Sequence, residues 1–150
     1  MFLAMHNWMR AEPIEVTIKR LAKYGYEAIE IGAEPAKYDT KEVRGYLEEN
    51  GIRCWGAISL MFTGLDLIQA DEEGRANTIT YLKDSVTMVK ELGGEIMSIV
   101  PSEVGKVNAQ ADPETEWDWA VEGLKEINAH AQKEGIRVAV EPLNRFETNF

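Results

Sequence analysis

Four glycines set the rhythm of this chain. Gly25, Gly51, Gly94 and Gly135 each end a stretch with helical apolar spacing and precede a short run rich in β-branched residues. Glycine accepts the left-handed conformation that closes helices, so each one marks a helix-to-strand junction. The spacing predicts four βα units and a fifth strand. The expected strands cover residues 2–5, 26–31, 52–60, 95–100 and 136–140. Ile14, Ile18, Leu21 and Ala22 define the buried stripe of the first helix, and Val43, Tyr46 and Leu47 that of the second. Ile79, Leu82, Val86 and Val89 define the third, and Trp117, Val121, Leu124, Ile127 and Ala131 the fourth. Pro13 is expected at the first position of its helix. Asp39 with Glu42 reads as a capping box, and Asp71 and Asp112 also open helices.

Strands alternating with helices imply a parallel sheet with right-handed crossovers. No Gly-x-Gly-x-x-Gly follows the first strand and no Gly-Lys-Ser/Thr occurs, so nothing cradles a nucleotide pyrophosphate. The expected fold is α/β, a (β/α)8 TIM barrel. A complete barrel takes about 250 residues. These 150 residues supply its N-terminal four and a half βα units, one partial barrel domain spanning 1–150.

The formal net charge of −10 argues against nucleic-acid or anionic-membrane partners, which require clustered Lys and Arg. No apolar run is long enough to span a bilayer, and the first ten residues lack the basic and apolar regions of a secretory signal. The single cysteine, Cys54, permits no internal disulfide, and a cytoplasmic protein is the default expectation.

The chemistry concentrates at the last strand. Ile136, Val138 and Val140 alternate with Arg137, Ala139 and Glu141, which predicts a largely buried strand; Pro142 ends its pairing. Glu141 therefore stands at the C-terminal end of a barrel strand, where ligands bind in this class of fold. A carboxylate there is used in chemistry, bound to metal, or paired with Arg137 or Arg145. His6 and Trp8 follow the first strand, and Glu34 follows the second. His6 is read either as a ligand or as a structural histidine, and Trp8 either as an aromatic stacking platform or as a core lid. Trp117 and Trp119 are read as helix packing, His130 as a cation near a helix C-terminus, and Cys54 as a core residue.

The segment from Glu141 to Glu147, Glu-Pro-Leu-Asn-Arg-Phe-Glu, resembles the fifth-strand motif of the sugar isomerase/epimerase superfamily of xylose isomerase-like barrels. Within it, the motif is most similar to that of the ketose 3-epimerases, the D-tagatose and D-psicose group. The resemblance implies metal-dependent epimerisation of a small ketose at C3. It assigns Glu141 as a metal ligand and acid/base, and Glu147 as a hydrogen-bonding partner of substrate hydroxyls. His6, Trp8 and, more loosely, Glu34 fall where the family contacts substrate. The implied cofactor is a divalent ion, Mn²⁺ first, with Mg²⁺ or Co²⁺ as substitutes. The family's other ligands, an aspartate, a histidine and a second glutamate, belong to strands six to eight, beyond this sequence.

Three alternatives remain open at this point. Inosose or aldose–ketose isomerisation lies in the same superfamily. So does the catalytic subunit of C-glycoside deglycosidases, a lyase that works with a small partner subunit. The third is a non-catalytic half-barrel. Exposed sheet edges point to a homo-oligomer, or to the remainder of the barrel, as partner.

Overall fold

The computed structural model describes residues 1–62 and 64–150. The elements are β1 (Ala4–His6), α1 (Ile14–Lys23), β2 (Ala28–Ala33), α2 (Thr40–Asn50) and β3 (Arg53–Ser59). They continue with α3 (Glu72–Glu91), β4 (Ile96–Ile99), α4 (Pro113–Glu134) and β5 (Arg137–Val140). All five strands are parallel and lie in the order β1-β2-β3-β4-β5. That sequential order is the barrel's and not that of a doubly wound sheet, in which strand order reverses.

Local chemistry sets most element ends. The Asp39 side chain accepts from the N–H groups of Lys41 (2.9 Å) and Glu42 (3.1 Å), while Asp71 and Asp112 accept from Glu73 (3.2 Å) and Thr115 (3.0 Å). These bonds satisfy donors left free in a first helical turn. The expected capping box on α2 is only half made, because Glu42 accepts from the Tyr46 hydroxyl instead. Pro13 stands one residue before α1, at its N-cap, with no side-chain cap. Gly51 (φ 64°) and Gly135 (φ 74°) close α2 and α4 in the left-handed conformation.

The sheet has two chemically distinct faces, because side chains alternate along each strand and register partners share a side. Ile29, Cys54, Ala57, Met97 and Ile99 pack with Ile18 and Leu21 of α1, Val43 and Leu47 of α2, Leu82, Val86 and Val89 of α3, and Ile127 of α4 in one core. The opposite face, a barrel's interior, carries His6 beside Glu30, then Gly56, Ser98 and Ala139, and Glu141 in the same phase. Between β2 and β3 the register slips by one residue at Trp55, so Ile29 pairs with Cys54 but Glu30 with Gly56. A Cβ at Gly56 would lie 2.3 Å from the Ile96 carbonyl oxygen, so glycine allows β3 and β4 to approach at this bulge.

Two further expectations need correction. The buried face of α4 is Glu116, Ala120, Gly123, Ile127 and Ala131; Trp117 is exposed and tilts against the Phe150 ring at 5.8 Å. The strand β5 is not largely buried: Val140 is 50% exposed, because β5 pairs on one side only.

Candidate active site

The loops after β1, β3, β4 and β5 meet at the C-terminal edge of the sheet. Here the Glu141 N–H donates to the Ile99 carbonyl at 2.9 Å, extending the β4–β5 ladder one residue past the strand. That bond fixes the backbone of Glu141 while Pro142 turns the chain away. Glu141 forms no ion pair among the described residues. Arg137 instead bonds Glu95 at 3.2 Å, and Arg145 lies over the Phe146 ring at 5.3 Å.

The turn that follows organises itself. The Phe146 N–H donates to the Asn144 side-chain oxygen at 3.0 Å, the Glu147 N–H to the Asn144 carbonyl at 2.9 Å, and the Asn144 amide to the Glu147 carboxylate. This Asx-type turn explains why asparagine and glutamate stand three residues apart. The loop before α4 then holds the turn. Gly105 N–H donates to the Glu147 carbonyl at 2.7 Å, and the Ser102 and Thr148 hydroxyls, both buried, meet at 2.6 Å.

Glu141 and Glu147 open onto a recess of about 260 Å³ walled by Trp8, Leu60, Phe62 and Val104. The structure thus brings Glu141, Glu147 and Trp8 together. His6 lies behind Trp8, its imidazole stacked on the indole at 4.4 Å and 19°, with a buried Nδ1 that has no partner among the described residues. Glu34 does not join them. It lines a neighbouring recess of about 530 Å³, where it pairs with Lys37 at 2.7 Å and receives the Tyr38 hydroxyl at 3.4 Å.

Glu30 was missing from the sequence reading. Its carboxyl is held above the ordinary glutamate range, first by burial and then by the negative charge of Glu141, with His6 opposing. The available signal was a single charged residue between Ile29 and Ile31 in a strand otherwise apolar. Tyr38, whose hydroxyl burial pushes up, and Asn7 were also missed, since neither belongs to a recognisable pattern.

Among the described residues no three His, Cys, Asp or Glu side chains assemble into a group able to hold a metal. Glu141 is a hard oxygen donor suited to Mn²⁺ or Mg²⁺, but it fills one ligand position and leaves the rest of the set unsupplied.

A parallel sheet in barrel order, with a carboxylate at the end of its fifth strand, defines one part of a (β/α) barrel. Residues 18–150 match the xylose isomerase-like TIM barrel family, and the chain belongs to it. Among its curated relatives, the L-ribulose 3-epimerase of Mesorhizobium japonicum is 24% identical over 137 residues, covering 91% of this chain and 46% of that protein. The D-psicose 3-epimerase of Ruminiclostridium cellulolyticum is 26% identical over 139 residues, with 87% and 46% covered. A crystal structure of D-psicose 3-epimerase with D-tagatose, from Clostridium cellulolyticum, superposes with a TM-score of 0.86. It is 22% identical and covers 98% of this chain and 54% of that one. The chain spans about half the length of the curated relatives it matches. No described helix is long and apolar enough to cross a membrane.

Proposed function

We propose that residues 1–150 form the N-terminal part of a barrel domain that epimerises a small unphosphorylated ketose at C3. The observation that supports this best is Glu141, fixed at the end of β5 and opening with Glu147 and Trp8 onto one recess. The C3–H bond lies next to a carbonyl. Glu141 takes the C3 proton as base, the C–H electron pair moves into an enediolate, and reprotonation on the other face gives the epimer. The acid on that other face comes from outside the described residues. Glu147 accepts hydrogen bonds from hydroxyls near the reacting carbon. The indole of Trp8, held by His6, offers an apolar face to the sugar ring.

A divalent ion, Mn²⁺ first and Mg²⁺ or Co²⁺ as substitutes, supplies Lewis acidity at the carbonyl oxygen when bound. Glu141 provides one of its oxygen donors; the others belong to strands that complete the barrel. Exposed apolar side chains at both sheet edges, Leu3 and Met5 on one and Val140 on the other, support pairing with those strands or with a second copy. The lone buried thiol of Cys54 is compatible with the cytoplasm.

The test is calorimetric titration of Mn²⁺ into the wild-type chain and Glu141→Gln, beside proton exchange at C3 of D-fructose in D₂O followed by NMR. The expected result is metal binding lost in the variant and exchange reduced about 10²–10⁴-fold, the range for losing one acid/base group. Exchange unchanged in Glu141→Gln overturns the assignment. A folded wild-type chain with neither binding nor exchange removes the activity from these 150 residues.

A further inference from the structure

The recess of Glu141 has a larger neighbour. That neighbour, about 530 Å³ against about 260 Å³, lies on the far side of a wall made by Trp8, Leu60 and Phe62, which line both. Gly32 lies under that wall. A Cβ there would stand 3.1 Å from Leu60 Cδ1 and 3.4 Å from Trp8 Cβ, so the missing side chain lets both residues settle over β2.

The larger recess is built for a polar ring. The Gly32 N–H donates to the Asn7 side-chain oxygen at 2.7 Å, the Asn7 amide donates to the Tyr38 hydroxyl at 3.1 Å, and that hydroxyl donates to Glu34, which Lys37 also holds. This chain of bonds fixes a carboxylate, a phenol and an amide before any ligand arrives. Trp8 and Phe62 are both substantially exposed and add aromatic surface. Aromatic faces with a few fixed polar groups suit a pyranose, which has apolar C–H faces and a rim of hydroxyls.

The smaller recess, about 260 Å³, has room for one hexulose with C3 at Glu141, and the polar groups of the larger recess stand outside it. We propose that the substrate is a ketose carrying a second pyranose, joined through the end remote from C3, and that this second ring occupies the recess of Asn7, Glu34, Lys37 and Tyr38. The proposal rests on the sugar-site reading above and adds a substrate class to it.

The test uses isomaltulose, in which a glucosyl ring is joined to O6 of D-fructose, beside D-fructose itself. Affinity is read by calorimetry and contacts by saturation-transfer NMR on the 150-residue chain. The expected result is binding about tenfold tighter for isomaltulose, with saturation reaching protons of both rings. Ala11→Trp, at an exposed position lining the larger recess, brings the two affinities together, and Lys37→Ala reduces the difference independently. Isomaltulose binding no better than D-fructose overturns the two-ring substrate and leaves the epimerase reading standing. Failure of either sugar to bind removes the sugar site itself, and this inference with it.

Discussion

Glu116 reaches Asn149, 33 residues along the chain, at 2.7 Å, and its other carboxylate oxygen receives the Gln110 N–H at 2.7 Å. The residue is 2% exposed. It lies in the first turn of α4, where the helix dipole favours a negative charge. One buried carboxylate therefore ties the loop after β4 to the segment that carries Glu147.

Glu116→Ala leaves both donors without their acceptor and is expected to cost about 1–3 kcal/mol. Urea denaturation measures the loss. Amide hydrogen exchange should rise first at residues 144–150, and uniform acceleration across the sheet would contradict a local clamp.

Asp66 and Lys106 form a second tie between loops, at 2.5 Å, with 2% and 11% of their side chains exposed. Lys106→Met strands the Asp66 charge in the interior, where among the described residues only the Ile68 N–H, at 2.8 Å, still bonds its carboxylate. The expected destabilisation is about 3–5 kcal/mol. Adding Asp66→Asn should recover part of it, and a double variant as unstable as the single one would refute the charge argument.

Cys54 is a buried thiol pushed up to about 12, by burial first and then by the charge of Glu30, against a lowering hydrogen bond with the Gly56 backbone. Thiolate is the reactive form. Iodoacetamide at pH 8 should leave the native chain unmodified and label one site after unfolding, as intact mass spectrometry would show.

For Glu30 the sign follows from linkage. A carboxyl raised in the folded state binds more protons there than when unfolded, so its contribution is full below the ordinary value of 4.5 and falls as pH rises through the folded value. Glu30→Gln removes that loss. The variant should match wild type in melting temperature at pH 4 and exceed it at pH 7, by no more than about 2 °C for a half-buried group. A lower melting temperature at pH 7 would show that the carboxylate is held by favourable contacts instead.

What was legible in the sequence was local. Asp39, Asp71 and Asp112 cap their helices because each cap involves residues two or three apart, and Gly51 and Gly135 stop theirs for the same reason. The barrel order was inferred from the absence of nucleotide motifs and the repeated units, and the register confirms it. The phase of α4 was misread because its buried side opens with a carboxylate, Glu116, whose partners lie on distant loops. Burial of β5 was overestimated because alternation reports which face a side chain takes, not whether a neighbouring strand covers it. The recess beside Glu34 depends on Gly32, where the absence of a side chain is the signal, and only the positions of Trp8 and Leu60 give it meaning.

The strand order carries a kinetic consequence. Ala4 pairs with Ala28, Ala28 with Arg53, Gly56 with Ile96, and Ile96 with Arg137, so every strand bonds the one made immediately before it. No pairing needs a segment synthesised more than one unit later, and each loop closure spans a single βα unit. The sheet can therefore grow strand by strand as the chain leaves the ribosome, each new strand adding to an open edge. At every stage the newest edge is the vulnerable one, and after β5 that edge is the strand leading to Glu141.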